Sequence, residues 1–214
     1  MARYAMSIDL TTCVGCDACV VACKLENEVP DGYARDWTEE YVTEEGERSK
    51  GDSPAEEGRM PHLQMEIYSN RCQHCENPPC VMVCPTEASY VEKGIVLVDR
   101  EKCVECRHCI AGCPYGARFH VPGRFVDKCT FCSHRLGSGR STACVEVCPT
   151  GSLEFGDLED PNSAISRLLQ KREYKVLQPA RHTKPKYFLL LSSIERKELS
   201  YTSEGGTADF RSIS

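Results

Sequence analysis

The sequence lacks the long apolar run that a membrane-spanning helix requires. Its longest uninterrupted stretch of aliphatic or aromatic residues is YFLLL at residues 187–191, whereas a spanning helix needs about 20 apolar residues. Aromatic residues make up only 7% of the 214 residues, and the mean hydropathy is negative. We therefore expect a chain without a membrane span and with few bulky side chains for a hydrophobic core.

Two further absences narrow the possible functions. The chain has no block of lysine and arginine, and its 26 basic residues are outnumbered by 32 acidic ones, so we do not expect nucleic acid as a partner. Residues 1–9 contain no apolar segment, twin arginine or small-residue cleavage site, so we expect no export signal. A secreted scaffold held by disulfides is therefore disfavoured.

Cysteine is abundant, with 16 residues that fall into four quartets. The quartets are Cys13, Cys16, Cys19, Cys23; Cys72, Cys75, Cys80, Cys84; Cys103, Cys106, Cys109, Cys113; and Cys129, Cys132, Cys144, Cys148. The first and third have the spacing C-x2-C-x2-C-x3-C, while the second and fourth lengthen the middle gap to four and eleven residues. Proline follows the last cysteine in three quartets, and Lys24 follows it in the first.

This spacing is typical of bacterial ferredoxins, in which the fourth cysteine of a run ligates a neighbouring cluster. Structural zinc sites use two ligand pairs separated by a longer loop, a pattern that only the fourth quartet resembles. We therefore favour 4Fe–4S clusters over zinc and over disulfides, and we predict four of them. Since proline suits the first turn of a helix, we also expect a helix to begin at each fourth cysteine.

The segments between the quartets predict an α+β fold with an internal repeat. Short β-branched or apolar runs at residues 6–9 and 95–99 read as strands that lead into cysteine loops, and residues 118–121 and 153–156 read as returning strands. We expect four strand–loop–helix units that form two ferredoxin-like modules.

Two cysteine-free segments complete the organisation. Residues 33–60 hold nine acids and four bases between Arg35 and Arg59, and we expect a solvated acidic insertion loop. Residues 163–177 have apolar side chains at helical spacing behind the cap candidates Asn162 and Ser163. We expect residues 161–191 to form this helix and a basic, then apolar, extension that docks on a partner, with 192–214 as a mobile tail.

Four motifs, QHCENPPC at 73–80, CPYGAR at 113–118, KCTFC at 128–132 and FGDL at 155–158, resemble a known family. The chain is similar to the four-cluster electron-transfer subunits of complex iron–sulfur molybdoenzymes, such as those of polysulfide reductase and dimethyl sulfoxide reductase. The resemblance covers about residues 4–188 and leaves out the acidic insertion and the extreme C-terminus.

The resemblance implies which quartets share clusters. It pairs the first quartet with the fourth, in a module of residues 1–32 and 126–160, and the second with the third, in a module of residues 61–125. The implied ligand sets are Cys13, Cys16, Cys19 and Cys148 (first cluster); Cys129, Cys132, Cys144 and Cys23 (second); Cys103, Cys106, Cys109 and Cys84 (third); and Cys72, Cys75, Cys80 and Cys113 (fourth).

The family also implies a role. The chain would relay single electrons between a molybdopterin-containing catalytic subunit and a membrane-integral quinone-binding subunit, and would catalyse nothing itself, in keeping with the lack of a nucleophile elbow, phosphate loop or dinucleotide motif. The alternative is a free-standing soluble polyferredoxin. The terminal substrate is open among polysulfide, thiosulfate, tetrathionate, dimethyl sulfoxide, arsenate and sulfite, as is the direction of electron flow. We expect a membrane-associated complex on the extracytoplasmic face, exported with its catalytic partner, with the cytoplasmic face as the alternative.

Basic residues next to the cysteines are candidates for raising cluster potentials, because nearby charge is one determinant of those potentials. They are Lys24, Arg71, Lys102, Arg107 and Lys128. His74, His108 and His134 also lie beside cysteines. We expect these histidines to pack the loops rather than to bind iron, because cysteine completes every cluster.

Overall fold

The computed structural model describes residues 2–44, 63–123 and 125–191, which form ten strands and six α-helices. The strands are β1 Tyr4–Asp9, β2 Asp36–Glu44, β3 Leu63–Arg71, β4 Ser89–Glu92, β5 Ile95–Val98, β6 Phe119–Val121, β7 Phe125–Asp127, β8 Leu153–Asp157, β9 Tyr174–Lys175 and β10 Tyr187–Leu190. The helices are α1 Ala18–Glu26, α2 Pro79–Met82, α3 His108–Ala111, α4 Ser133–Leu136, α5 Ala143–Val147 and α6 Ala164–Lys171. Within this part of the chain, every helix is too short or too polar to cross a bilayer.

The largest sheet has the strand order β8-β1-β10-β9. Strand β1 pairs antiparallel with β8 and parallel with β10, and four of its residues, 5 to 8, are buried. The strands predicted at residues 6–9 and 153–156 are confirmed as parts of β1 and β8. This sheet brings the segment before the first quartet next to the segment after the fourth.

Three hairpins flank this sheet, namely β2–β3, β4–β5 and β6–β7. The strands predicted at residues 95–99 and 118–121 are confirmed as β5 and β6. Lys93 and Gly94, which join β4 to β5, both have positive φ, 48° and 74°, as a two-residue hairpin turn of the I′ class requires. Helices and strands are thus mixed, as the α+β prediction states.

The start of the acid-rich segment is a strand, which corrects the prediction of a loop over residues 33–60. Residues 36–44 form β2 and pair along their whole length with β3. The side chain of Glu39 accepts hydrogen bonds from Trp37 Nε1, Tyr68 Oη and Asn70 Nδ2 at 2.8–2.9 Å. Residues 45–60 of the predicted loop lie outside the described residues.

The end of the segment expected to dock on a partner subunit packs on this chain. Tyr187, Leu189 and Leu190 of β10 are at most 2% exposed, because β10 lies between β1 and β9. Just before it, Thr183 and Lys184 accept hydrogen bonds from the amides of residues 77 and 76 at 3.0 and 2.9 Å. The segment therefore ties the large sheet to the loop of the second quartet. Residues 192–214 are outside the described part of the chain.

Helix α6 confirms the predicted cap but is shorter than predicted. Ser163 accepts a hydrogen bond from the amide of Ser166 at 3.2 Å, as an N-cap does. The helix ends at Lys171 rather than near residue 177, because the chain turns back to form β9 at the edge of the large sheet. Ile165 is fully buried and packs where Gly156 of β8 leaves room for it.

Candidate iron–sulfur centres

Each cysteine quartet opens with a C-x-x-C loop that turns at a left-handed residue. The residue before the second cysteine is Gly15, His74, Glu105 or Phe131, with φ between 41° and 63°. In the last loop, the amide of Phe131 donates to Cys129 Sγ at 3.5 Å. Consecutive amides in such turns form a concave surface that favours negative charge. Only Gly15 is of a residue type that signals this conformation, so sequence reasoning missed the other three.

The short helices precede the fourth cysteines, so the prediction that helices begin there is wrong. Helices α2, α3 and α5 contain the third cysteine of their quartets and end before Cys84, Cys113 and Cys148. The reason is that a residue followed by proline is disfavoured in the α conformation. Lys24 imposes no such limit, and α1 continues through Cys23.

A cavity beside the large sheet brings the fourth quartet together with the end of the first. Its lining includes Cys129, Cys132, Cys144 and Cys23. Asn27 reaches into the same group, with Nδ2 at 3.7 Å from Cys23 Sγ and 3.8 Å from Cys132 Sγ. These four thiols are distant in the sequence, and they come together because α1 packs against α5.

A second cavity has the corresponding composition in the other half of the molecule. Its lining includes Cys103, Cys106 and Cys109 of the third quartet and Cys84 of the second. Burial raises the pKa of Cys84, but its hydrogen bonds outweigh that effect and leave the pKa below the ordinary thiol value. One of these bonds comes from the Ser89 amide at 3.4 Å.

The remaining thiols also form groups that combine cysteines of two quartets. Burial, together with the nearby thiols Cys72, Cys80 and Cys113, raises the pKa of Cys75 to about 12. Cys113 is the last cysteine of the third quartet, whereas the other three belong to the second.

At the other end of the molecule, burial raises the pKa of Cys13, and Cys148 and Cys16 add to that effect. Cys148 closes the fourth quartet, whereas Cys13 and Cys16 open the first. Each fourth cysteine thus lies near thiols of a different quartet.

Successive groups of thiols are neighbours. Burial is the largest cause that raises the pKa of Cys19, and the nearby thiol of Cys144 raises it as well. Burial is also the largest cause for Cys129, whose pKa Cys72 raises as well. In the same way, Cys80 raises the pKa of Cys109. These three electrostatic interactions place the four groups of thiols in a single series.

The chemistry of these groups fits iron–sulfur clusters. Burial raises the pKa of Cys19 to about 11 and that of Cys129 to about 12, so a free thiolate is costly there and binding to iron removes that cost. Arg71 Nη1 donates to Cys144 Sγ at 2.8 Å and Arg118 Nη2 donates to Cys80 Sγ at 3.1 Å. Cationic donors aimed at sulfur suit metal-bound thiolates, which are hydrogen-bond acceptors.

The predicted basic residues lie in different surroundings. Arg71 and Lys128 are each 1% exposed, and Arg71 forms an ion pair with buried Asp36 at 2.8 Å. In contrast, Lys24 Nζ donates a hydrogen bond to the carbonyl of Pro30 at 2.8 Å. At the surface, Lys102 lies 3.8 Å from Asp99 and Arg107 is exposed. Arg118, five residues after a cysteine, was missed by a search of adjacent positions.

The three histidines lie in different surroundings, and only His74 is buried. His74 is fully buried, stacks on Phe131 with ring centroids 3.6 Å apart and accepts a hydrogen bond from the amide of Val96 on Nδ1 at 3.2 Å. Burial lowers the pKa of His74 well below its usual value, so the ring is neutral at pH 7. His134 contacts Glu26 at 2.8 Å, and His108 is exposed.

Cys16 and Cys106 are the exposed cysteines, and exposed apolar residues occur in their quartets and in the quartets whose helices pack against those quartets. We call residues 14, 21, 25 and 147 the Cys16 surface; they are Val14, Val21, Leu25 and Val147, exposed by 42–75%. We call residues 82, 83 and 104 the Cys106 surface; they are Met82, Val83 and Val104, exposed by 41–80%. Both surfaces adjoin cysteines at the two ends of the series.

Comparison with known families finds two matching domain models. A family model described as a 4Fe–4S dicluster domain matches residues 63–158. A second model with the same description matches residues 12–88. Two dicluster domains and 16 cysteines give four 4Fe–4S clusters.

Curated relatives match over most of the chain. A tetrathionate reductase subunit of Salmonella typhimurium is 42% identical over 88% of this chain and 72% of its own. A polysulfide reductase polypeptide of Wolinella succinogenes is 42% identical over 88% of this chain and 94% of its own. The thiosulfate reductase electron transfer subunit of Salmonella typhi is 43% identical over 84% of this chain and 88% of its own. This chain therefore belongs to the family of 4Fe–4S electron-transfer subunits of reductase complexes.

Proposed function

We propose that the chain relays single electrons through its four clusters, between a molybdopterin-containing catalytic subunit and a membrane-integral subunit that exchanges electrons with quinone. The observation that carries this proposal is the series of four thiol groups, each close enough to the next to shift the pKa of one of its thiols. A series with an exposed cysteine at each end suits a conductor between two partners, whereas a soluble carrier that meets one partner at a time needs only one such end.

We assign the ligands by fourth-cysteine exchange, in the sets that the family resemblance implied. The first cluster takes Cys148, the second takes Cys23, the third takes Cys84 and the fourth takes Cys113, each with the first three cysteines of another quartet. The two cavities that hold complete sets support the second and third assignments. The contacts of Cys13 and Cys75 support the other two.

The order of the series follows from these assignments. It runs from the first cluster to the second, the fourth and the third. When bound, 4Fe–4S clusters supply the electron-carrying capacity, with potentials that depend on charge, hydrogen bonds to sulfur and exposure to solvent. The chain's own residues hold the thiols, exclude water from the inner groups and donate hydrogen bonds to sulfur.

The two apolar surfaces are the proposed contacts with the partners. Exposed apolar patches around an exposed ligand are typical of interaction sites. We assign the Cys16 surface to the catalytic subunit and the Cys106 surface to the membrane subunit. The names of the relatives favour a reductase of a sulfur compound as the complex, with tetrathionate, polysulfide and thiosulfate as the candidate substrates. We place the complex at the extracytoplasmic face of the membrane, exported together with its catalytic subunit.

A pair of surface variants tests the relay. In the complex purified with its partners, Val14→Asp is expected to slow electron transfer between the chain and the catalytic subunit, and Val104→Asp is expected to slow reduction by quinol. Both should retain about sixteen iron per chain, since four cubanes hold four each. Leu191→Asp, at a 40% exposed position that belongs to neither surface, is the control.

Three results would contradict the proposal. These are a wild-type chain that holds clearly fewer than sixteen iron, a chain that purifies only as a lone protein, and surface variants that transfer electrons at the wild-type rate to both partners.

A further inference from the structure

We propose that Lys128 lies between the two inner clusters and that its positive charge raises the reduction potentials of both. This inference rests on the proposed ligand sets, in which the second cluster uses Cys129 and the fourth uses Cys72. Lys128 touches neither substrate nor partner, and its effect is on the electron affinity of the groups beside it.

Lys128 is buried where the two modules meet. The residue is 1% exposed. Its Nζ donates one hydrogen bond to the carbonyl of Val96 and another, at 2.7 Å, to the carbonyl of Cys129. Val96 belongs to β5, between the second and third quartets, whereas Cys129 opens the fourth quartet. Lys128 thus bridges the two modules through backbone carbonyls.

The groups of thiols on both sides act on this ammonium group. Burial is the largest effect and lowers the pKa of Lys128, as does Arg118, while Cys72, Cys129 and Cys80 raise it. Cys72 and Cys80 belong to the proposed fourth cluster and Cys129 to the second. Lys128 also directly precedes Cys129 in the chain, and Val96, whose carbonyl it contacts, lies in one apolar cluster with Cys80. Lys128 therefore lies between the two inner sets.

A closed set of contacts fixes this position. The amide of Val96 donates to His74 Nδ1 at 3.2 Å, and the His74 ring stacks on Phe131 with centroids 3.6 Å apart. The Phe131 amide in turn donates to Cys129 Sγ at 3.5 Å. The amide of Val96 thus binds His74 and its carbonyl binds Lys128, so one residue of β5 contacts both side chains.

Lys128 differs from Arg71 in its charge balance. The charge of Arg71 is opposed by Asp36 at 2.8 Å, whereas within the described residues the acceptors of Lys128 are carbonyls only. Buried charges are screened much less than exposed ones. Adding an electron makes a cluster more negative, so an unpaired cation between two clusters favours the reduced form of each.

Redox titration of the purified complex, followed by paramagnetic resonance, tests the inference. In Lys128→Gln and Lys128→Met, the equilibrium constant for reduction of both inner clusters is expected to fall at least tenfold, which is about 59 mV for one electron. The outer clusters should titrate as in the wild type. Lys128→Arg, which keeps the charge, should restore the wild-type potentials.

Lys102→Met is the matched control. Lys102 also precedes the first cysteine of a quartet, but its side chain is 63% exposed. Solvent screens its charge, so this substitution should change no cluster more than twofold.

Iron content separates the possible failures. A wild-type chain without sixteen iron would defeat the proposed ligand sets. Full iron content in both neutral variants with an unchanged potential, or a shift in one inner cluster alone, would overturn the role of Lys128 and leave the relay intact. If the neutral variants lose the inner clusters, restoration by Lys128→Arg supports the role of the charge, and loss in Lys128→Arg as well contradicts it.

Discussion

Gly15 shows how one backbone position serves a cluster loop. Its φ is +63°, and a Cβ built there would lie 2.7 Å from Ile67 Cγ2 of the β2–β3 hairpin. The position therefore needs glycine for two reasons, namely its left-handed conformation and the close approach of β3. This contact also explains how the hairpin supports the first quartet.

Gly15→Ala is expected to destabilise the protein more than a change in conformation alone would. A left-handed alanine costs about 1–2 kcal/mol, and the contact with Ile67 adds to it. Gly139→Ala is the control, because Gly139 has a φ of +74° and no atom within 4 Å of the added Cβ. Denaturant unfolding of the cluster-loaded protein measures both, and an equal loss in the two variants would show that Ile67 moves aside freely.

The positive φ angles in the cysteine loops are the feature of the site that the sequence did not predict. The cysteines and their spacing predicted the clusters, since ligand type and count are written in the sequence. The left-handed conformations of His74, Glu105 and Phe131 were not predictable in this way, because those residue types rarely adopt positive φ. Packing overrides that preference here, as in the stack of His74 on Phe131.

The cysteines of helix α1 lead to a prediction about substitutions that damage a cluster held mainly by a distant quartet. It carries both Cys19 and Cys23, yet the proposed assignments give these cysteines to different clusters. Cys23→Ser is therefore expected to damage the cluster held by Cys129, Cys132 and Cys144, and Cys148→Ser the one held by Cys13, Cys16 and Cys19.

Paramagnetic resonance of each variant identifies the signal that is lost. Each serine variant serves as the control for the other, because both remove one fourth ligand from the same module. If Cys23→Ser disturbed only the cluster of Cys13, Cys16 and Cys19, the exchange of fourth cysteines would be wrong.

The elements that sequence reasoning missed depend on partners far away in the chain. Strand β2 is rich in acids, and its character as a strand comes from β3 and from donors such as Tyr68 and Asn70. Strand β10 pairs with β1 across about the whole described chain, so its apolar run could not be distinguished from a docking segment. Strands β5 and β6 were predictable because their pairing partners lie nearby.

The core of the molecule is built partly from the cluster ligands. The main hydrophobic cluster includes Cys72, Cys75, Cys129 and Cys144 beside Met6, Ile8, Tyr187 and Leu189. Small cores supply little stability without metals or cross-links. We therefore expect bound clusters to contribute to the stability of this core.

Removal of iron by a chelator under anaerobic, reducing conditions is expected to unfold the chain. Binding to a site that the unfolded chain does not possess contributes its free energy to folding. Far-ultraviolet circular dichroism should fall in step with the loss of cluster absorbance. Native dichroism in an iron-free chain, under the same conditions and with thiols kept reduced, would show that the protein core suffices.

The place of β10 in the large sheet has a consequence for biosynthesis. During translation, the second and third quartets emerge together with their hairpins and lack no later element among their proposed ligands. The first quartet emerges earlier, but Cys148 and β10 follow it by more than a hundred residues. The earliest thiols to leave the ribosome are thus the last to meet all of their proposed partners, and we expect the nascent chain to need a reducing environment until β10 inserts beside β1.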